Sequence, residues 1–376
     1  MKYLFELGRQ PEISTAELEA VFARLHIHPE NQIPKYSGIY LVVKFESKLD
    51  APHLSQILGG TKKIGREIKK IGDEIQSIAN FLNENQTGKI QFGVSSNASQ
   101  KIGLAIKKEL KKLGRSVRYI EIKNTATILH NNLVEKQGDF TIVDNSVFVT
   151  EAIQDIEGFT TRDYGRPGSD DVSGMLPPKL ARIMINLSGA NPKTDTVLDP
   201  FCGSGTILTE ALSMGFTNIT GSDFSQKAIG DAKKNVDWMM NQYPVSTYPN
   251  IFLSDATKLL DHLKPNSINI IVSEPYLGKP LRDNEKKEIL IQQADELKKL
   301  YIESFKEFHK ILKKNGTIIF IIPKFRYNND WITIDCLEEI KRIGFEQKPF
   351  NKTYASLLYH RPKQHVGREI WKFISK

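Results

Sequence analysis

Val197-Leu198-Asp199-Pro200-Phe201-Cys202-Gly203-Ser204-Gly205-Thr206 reads as a buried strand entering an acidic, glycine-rich turn and then a helix. Val197 and Leu198 suit a strand covered on both faces. Gly203 and Gly205 permit a tight turn and let a ligand approach the main chain. The helix expected over Ile207 to Met214 begins with N–H groups that have no intrahelical partner. A ligand-free βα turn would share the pattern. A dinucleotide fingerprint G-x-G-x-x-G/A would place a small residue where this chain has Leu208. Asp199 would moreover repel a pyrophosphate. A ligand carrying an ammonium group fits better, which points to S-adenosylmethionine and away from NAD.

The next segments extend this pattern. Ile219-Thr220-Gly221-Ser222-Asp223 reads as a second strand ending in an acid, with Phe224 after it, 20 residues beyond Gly203. An acid there can accept from both ribose hydroxyls. Ile251 to Asp255, followed by Ala256, repeats strand-then-acid and suits the adenine amino group. Ile268 to Val272 opens onto Ser273-Glu274-Pro275-Tyr276. One acid at a strand end is usually a turn residue or a cap. Four in order mark the carboxyl edge at which open α/β sheets bind ligands.

A Val-Leu-Asp-Pro-Phe-Cys-Gly-Ser-Gly-Thr turn followed by a proline–tyrosine tetrad resembles the amino-group methyltransferases that act on nucleobases. Asp163-Tyr164-Gly165-Arg166-Pro167, Ser173 to Ala181, Tyr359-His360-Arg361-Pro362 and Val366-Gly367-Arg368-Glu369 sharpen the match. Together they resemble the THUMP-domain tRNA guanosine N2-methyltransferases acting at tRNA position ten. The resemblance implies a Rossmann-like, mostly parallel seven-stranded sheet at residues 173–376, with S-adenosylmethionine as cofactor. It implies tRNA as partner, a small activator subunit in some relatives, and otherwise a monomer. In that family the tetrad begins with Asp or Asn, whose side chain and a following carbonyl accept from the base amino group, and its aromatic residue stacks on the flipped base. Here Ser273 and Glu274 depart from the pattern, while Pro275 and Tyr276 keep it. The resemblance assigns the cofactor to Asp199, Pro200, Phe201, Gly203, Gly205, Thr206, Asp223, Phe224, Asp255 and Ala256. Lys179, a cation beside a helix start, is a further ligand-facing candidate.

The chain has 376 residues, 40% hydrophobic and 26% charged, an ordinary globular composition expected to hold two or three domains. No apolar run approaches the roughly 18 residues of a membrane span. Charge interrupts Met1 to Arg9 too early for a signal peptide. Cys202 and Cys336 are too few for a disulfide framework or zinc site, so a cytoplasmic protein without metal is expected.

The net charge is +8, and residues 51–150 carry 15 Lys and Arg against 9 Asp and Glu. That local excess suits phosphate contact, although any solvated lysine-rich helix would look the same. Residues 1–50 read as a ferredoxin-like α/β unit, with strands at Tyr3 to Leu7 and Ile39 to Phe45. A capping box at Ser14 to Glu17 is expected to open its helix. Leu58 to Gly65 is expected to be a flexible basic turn. Residues 51–150 look like a THUMP domain, the module that grips the acceptor end of tRNA. Its helix Gln100 to Leu113 carries Ile102, Ile106, Leu110 and Leu113 on one face. Lys62, Lys63, Lys107, Lys108, Lys111, Lys112, Arg115 and Arg118 are the candidate RNA contacts. Residues 151–172 are expected to be a linker, whose Arg162 and Arg166, with Arg182 beyond, could reach phosphate. Further helices are expected at Pro178 to Leu187, Gln226 to Gln242 and Glu285 to Lys314, with strands at Gly316 to Pro323 and Ile370 to Ile374.

Overall fold

Alternating apolar strands and amphipathic helices give this chain two units, residues 1–15 with 27–155, and 16–26 with 156–376. The computed structural model describes residues 1–168, 175–245, 247–281, 285–362 and 364–376. Ser173 and Gly174, with which the second upstream motif begins, lie outside them, as do residues 169–172 of the expected linker.

The first unit is built on strands β1 (Lys2–Leu7), β2 (Tyr40–Lys44), β3 (Thr61–Glu67), β4 (Ile90–Ser95), β5 (Val117–Tyr119), β6 (Asp139–Val143) and β7 (Ser146–Ile153). They join in one sheet of order β2-β1-β3-β7-β6-β4-β5. The expected separation of residues 1–50 from 51–150 is therefore corrected, because β1 pairs with β3 along its length. The basic turn expected at Leu58 to Gly65 is likewise mostly strand. Gly65 does not loosen the chain there; a Cβ on it would come within 3.2 Å of Val149 O on β7, so the glycine permits close strand packing.

Helix α1 runs over Pro11–Arg24, so the capping box at Ser14 falls inside it. Ser14 Oγ instead bonds back to Gln10 O at 3.3 Å, and buried Glu17 accepts from Asn186 Nδ2 at 2.7 Å. Helices α2 (Ala51–Ile57), α3 (Glu74–Asn85), α4 (Ser99–Lys112) and α5 (Thr125–His130) complete the first unit. Ile106 and Leu110 of α4 join Leu82 of α3 and Phe92, Val94 and Phe140 of the sheet in the core. Leu113 was expected on that face but lies past the helix end and is exposed.

The expected linker is also structured. β7 extends to Ile153, and helix α6 occupies Ile156–Tyr164 in the second unit. There follow α7 (Pro178–Ser188), β8 (Thr196–Asp199), α8 (Thr206–Ser213), β9 (Asn218–Asp223), α9 (Gln226–Gln242), β10 (Asn250–Leu253) and β11 (Ile268–Ser273). Then come α10 (Lys287–Ile311), β12 (Leu312–Tyr327), β13 (Asp330–Ile332), α11 (Leu337–Ile343), β14 (Phe345–Lys348), β15 (Leu357–Tyr359) and β16 (Val366–Ser375). The main sheet order is β10-β9-β8-β11-β12-β16-β14, with β13 and β15 pairing at its side. The pairings from β10 to β12 are parallel, and β16 is antiparallel to both its neighbours. This is the Rossmann-like methyltransferase arrangement, extended by two short strands. From β8 the chain steps outward to β9 and β10, then returns to the other side as β11. The crevice beyond β8 and β11 is therefore the topological switch point at which such sheets bind ligands. Tyr301, Phe305 and Phe308 of α10 pack on Phe320 of β12 and fix that half of the sheet. Among the described residues no helix is long and apolar enough to cross a membrane.

Candidate active site

The ends of β8, β9 and β11 open onto one cleft of about 350 Å³. Asp199, Phe201, Gly203 and Thr206 line it from the β8–α8 turn, Asp223 and Phe224 from the end of β9, and Glu274 to Gly278 from beyond β11. Its volume falls in the range of small-molecule pockets. The turn works as its glycines require. Gly203 and Gly205 have φ of +52° and +84°, and a side chain on Gly203 would meet nothing, so the main chain there stands open.

Asp199 and Asp223 are buried. Asp223 accepts from Gly203 N at 3.0 Å and Ser225 N at 2.9 Å, one on each oxygen, which leaves lone pairs for ligand hydroxyls. Burial raises its pKa despite these bonds. Asp199 accepts from Ser273 Oγ at 2.7 Å and Phe201 N at 3.2 Å. Burial pushes its pKa up to about 8, with the charges of Asp223 and Glu274 adding to the effect. Asp231 and Glu274 add further carboxylates to the walls. Such a cleft suits a cation and disfavours a pyrophosphate. A sulfonium and an ammonium on one ligand match it, so the residues present fit S-adenosylmethionine.

The Ser273-Glu274-Pro275-Tyr276 turn divides its duties unexpectedly. Ser273 is fully buried and spends its hydroxyl on Asp199. Glu274 lines the cleft, and one of its oxygens accepts from Arg368 Nε on β16. Burial opposes the Arg368 charge, but the Glu274 carboxylate outweighs it and raises the arginine's pKa. Tyr276 is half exposed, and its carbonyl accepts from buried Tyr301 OH at 2.7 Å. Gly278, at φ +98°, lets the chain pass against Gln293, whose Oε1 accepts from Lys279 N at 3.0 Å. Arg368 is not among the candidate site residues; the Val366 to Glu369 stretch that contains it was its signal in the sequence. Met175 and Leu176, inside the Ser173 to Ala181 motif but given no role there, also line the cleft, as do Ser225 and Lys227, which no motif marks.

Other candidates stand elsewhere. Pro200, Asp255 and Ala256 are not among the lining residues; Asp255 accepts from Thr257 N at 2.9 Å and is exposed. Lys179 Nζ lies 5.2 Å from the centre of the Phe159 ring and does not line the cleft. Arg162 and Arg182 are buried on Glu210, so neither is free for phosphate. His360 bonds through Nε2 to Gln364 O at 2.9 Å, and Arg361 Nε donates to Tyr359 OH at 3.0 Å.

In the first unit, Lys63 is removed from the RNA candidates. It is 4% exposed and bonds Asp139 Oδ2 at 3.0 Å and Thr141 Oγ1 at 2.9 Å. Arg115 donates to Asn83 and to Gln86 O, tying the end of α3 to the turn after α4. Lys62, 3.8 Å from Glu6, is partly exposed. Lys108, Lys111, Lys112 and Arg118 are exposed, and Lys107 is half-buried.

Residues 168–343 match the model of the RMKL-like methyltransferase domain. The tRNA (guanine(10)-N2)-dimethyltransferase of Methanothermobacter thermautotrophicus is 33% identical over 154 residues, 40% of this chain and 40% of that protein. The enzyme of the same name from Pyrococcus abyssi is 30% identical over 181 residues, 48% of this chain and 46% of that protein. The matches thus span less than half the length of these curated relatives. Type II methyltransferase M.HincII of Haemophilus influenzae is 26% identical over 161 residues, 40% of this chain and 28% of that protein. TrmN of Thermus thermophilus superposes over the whole of both chains with a TM-score of 0.55 at 15% identity, a likeness of fold.

Proposed function

We propose that this chain, similar over residues 168–343 to the RMKL-like methyltransferase domain, methylates the exocyclic N2 amino group of a guanosine in tRNA. The observation that carries the proposal is a single cleft lined both by the buried pair Asp199 and Asp223 and by the Glu274-Pro275-Tyr276 turn. S-adenosylmethionine bound there supplies an electrophilic methyl group on a sulfonium that is already a good leaving group. The protein's own residues have to bind and orient. Asp223 would accept from the ribose hydroxyls, Phe224 would cover the adenine, and Asp199 would accept from the ammonium group. Gly203 and Gly205 keep side chains out of the way.

A guanine amino group is a poor nucleophile, because its lone pair is delocalised into the ring. Acceptors that hold its protons and aim the nitrogen supply most of what the reaction needs. Ser273 is turned to Asp199, so the Glu274 carboxylate takes the position's acceptor duty, using the oxygen that Arg368 Nε leaves free. The Glu274 carbonyl is a second acceptor, and Tyr276 stacks on the flipped base. The first unit, THUMP-like at residues 51–150, would hold the tRNA through Lys62 and the exposed cations of α4 and β5. In the relatives' names the target is guanine ten and the product a dimethylated base.

A second reading, a DNA amino-methyltransferase, draws on the similarity to M.HincII. One experiment separates the two. Purified protein, labelled cofactor and either an unmodified tRNA transcript or duplex DNA are combined, with and without a candidate activator subunit, and the nucleosides are identified by mass spectrometry. Labelled N2-methylguanosine from tRNA is the expected product. Methylated bases from DNA alone would replace the proposal with the second reading.

A further inference from the structure

Tyr359-His360-Arg361-Pro362 has so far no part in the site, yet the strands that carry it lie beside the cleft. β11 ends at Ser273, opposite Phe320 of β12, and β12 runs on to Tyr327. β16 follows it antiparallel from Val366, so this ribbon extends past the edge at which the cleft opens. β15 lines the other side of β16, with Tyr359 directly opposite Arg368, which is itself opposite Pro323. Residues paired in this way share a face of the sheet. It is the face from which Arg368 reaches Glu274. Tyr359 therefore stands on the far side of Arg368 from the cleft, and on the same face.

Arg361 is exposed and held against that tyrosine. Its Nε donates to Tyr359 OH at 3.0 Å, and its guanidinium carbon lies 5.8 Å from the ring centre. Among the described residues no carboxylate pairs with it. Both Nη groups are thus left to donate, and the Tyr359 hydroxyl, which accepts from Nε, keeps its own proton to give. A planar fork of donors beside a hydroxyl fits the oxygens of a phosphodiester. His360 turns the other way, with its ring edge-on to Trp331 at 5.1 Å between centres. Its Nε2 bonds to Gln364 O at 2.9 Å, and Gln364 N donates to Arg361 O at 3.1 Å. These contacts fix the turn that presents Arg361.

We propose that Arg361 and Tyr359 bind an RNA phosphate next to the flipped guanosine and so set that nucleotide over the cleft. This rests on the tRNA reading given above. It resolves a difficulty of that reading, since a flipped nucleotide brings its flanking phosphates to the rim of the site. Asp199, Asp223, Asp231 and Glu274 line the cleft and repel them. Arg162, Arg166 and Arg182 are buried and cannot answer that charge, and Arg368 is spent on Glu274. Arg361 is the exposed cation next beyond Arg368 on that face.

The test uses three tRNA transcripts: one unmodified, and two in which a neutral methylphosphonate replaces the phosphate on one or the other side of the target guanosine. Methylation is read as kcat/KM, with any required activator present. Wild type should lose about tenfold or more on one of the two methylphosphonates, the worth of a charge-assisted bond. Arg361→Ala should lose a similar factor on the unmodified transcript and nothing further on that methylphosphonate. Arg361→Lys should recover part of the loss, and Tyr359→Phe should blunt the sensitivity to that phosphate. Arg326→Ala removes an exposed arginine from the opposite face of the ribbon, where it pairs with Trp331, and should keep the full sensitivity. Calorimetry with S-adenosylhomocysteine should give Arg361→Ala the affinity of wild type, which shows that the fold and the cleft are intact. A full methylphosphonate penalty retained in Arg361→Ala overturns the proposal. If wild type methylates all three transcripts alike, the phosphate site alone has failed; if it methylates none, the tRNA reading has failed and the proposal with it.

Discussion

Cofactor binding should release a proton from Asp199. Its carboxyl is buried and titrates near pH 8, held there by desolvation and by Asp223 and Glu274. The form that accepts an ammonium group is the ionised one. A bound cation beside it lowers its pKa, so the free protein has to give up the proton on binding. The sign follows: affinity is at its maximum above about pH 8 and falls as pH drops below that value. At one pH unit below, deprotonation costs about 1.4 kcal/mol, roughly a tenfold loss of affinity, and the next unit costs as much again until the bound-state pKa is reached. Titration calorimetry of S-adenosylhomocysteine from pH 6 to 8, in buffers of different ionisation enthalpy, reads both the slope and the proton. Asp199→Asn should bind weakly with a much flatter slope. An affinity independent of pH in wild type, or an unchanged slope in Asp199→Asn, would refute the assignment of the ammonium to Asp199.

Ser273→Ala should act on the cofactor more than on turnover. Its hydroxyl is one of the bonds that favour the Asp199 charge, so its loss should weaken binding at pH 7, less so at higher pH, as read by the same calorimetry. Arg368→Met leaves Glu274 without its cation in a largely buried setting, and urea unfolding should register a loss of about 3 kcal/mol, partly recovered when Glu274→Gln is added. An undiminished midpoint would mean that the pair contributes little. Charge reversal at Lys108, Lys111 and Lys112 should weaken tRNA binding and lower its salt slope by about 0.7–0.9 for each phosphate no longer neutralised. Filter binding across a salt series checks this, and an unaltered slope would move the RNA to another surface.

The second unit was legible because its signals are local. Strand-then-acid patterns at Asp199 and Asp223 state both the element and the ligand edge, and parallel strands put those ends in one place. What stayed hidden depended on partners far away in sequence. Nothing around Lys63 announces Asp139, 76 positions later, so a buried ion pair read as an exposed RNA contact. Glu274 and Arg368 are 94 positions apart, and only the antiparallel return of β16 brings them together. The turn expected at Leu58 to Gly65 shows the same limit: glycine spacing is equally consistent with a flexible loop and a strand pressed against its neighbour. Asp255 shows a simpler ambiguity, since an acid after a strand can cap its own turn, as this one does with Thr257, as readily as meet a ligand.

The most direct test of the central claim removes the reacting atom from the substrate. An unmodified tRNA transcript is compared with one carrying inosine in place of the guanosine at position ten, the position in the relatives' names, since inosine lacks the N2 amino group and keeps the ring. With labelled S-adenosylmethionine and any required activator present, the account predicts label in the guanosine transcript and none in the inosine transcript. Label in both would place the reaction on another atom or another nucleotide. Label in neither would contradict the account altogether.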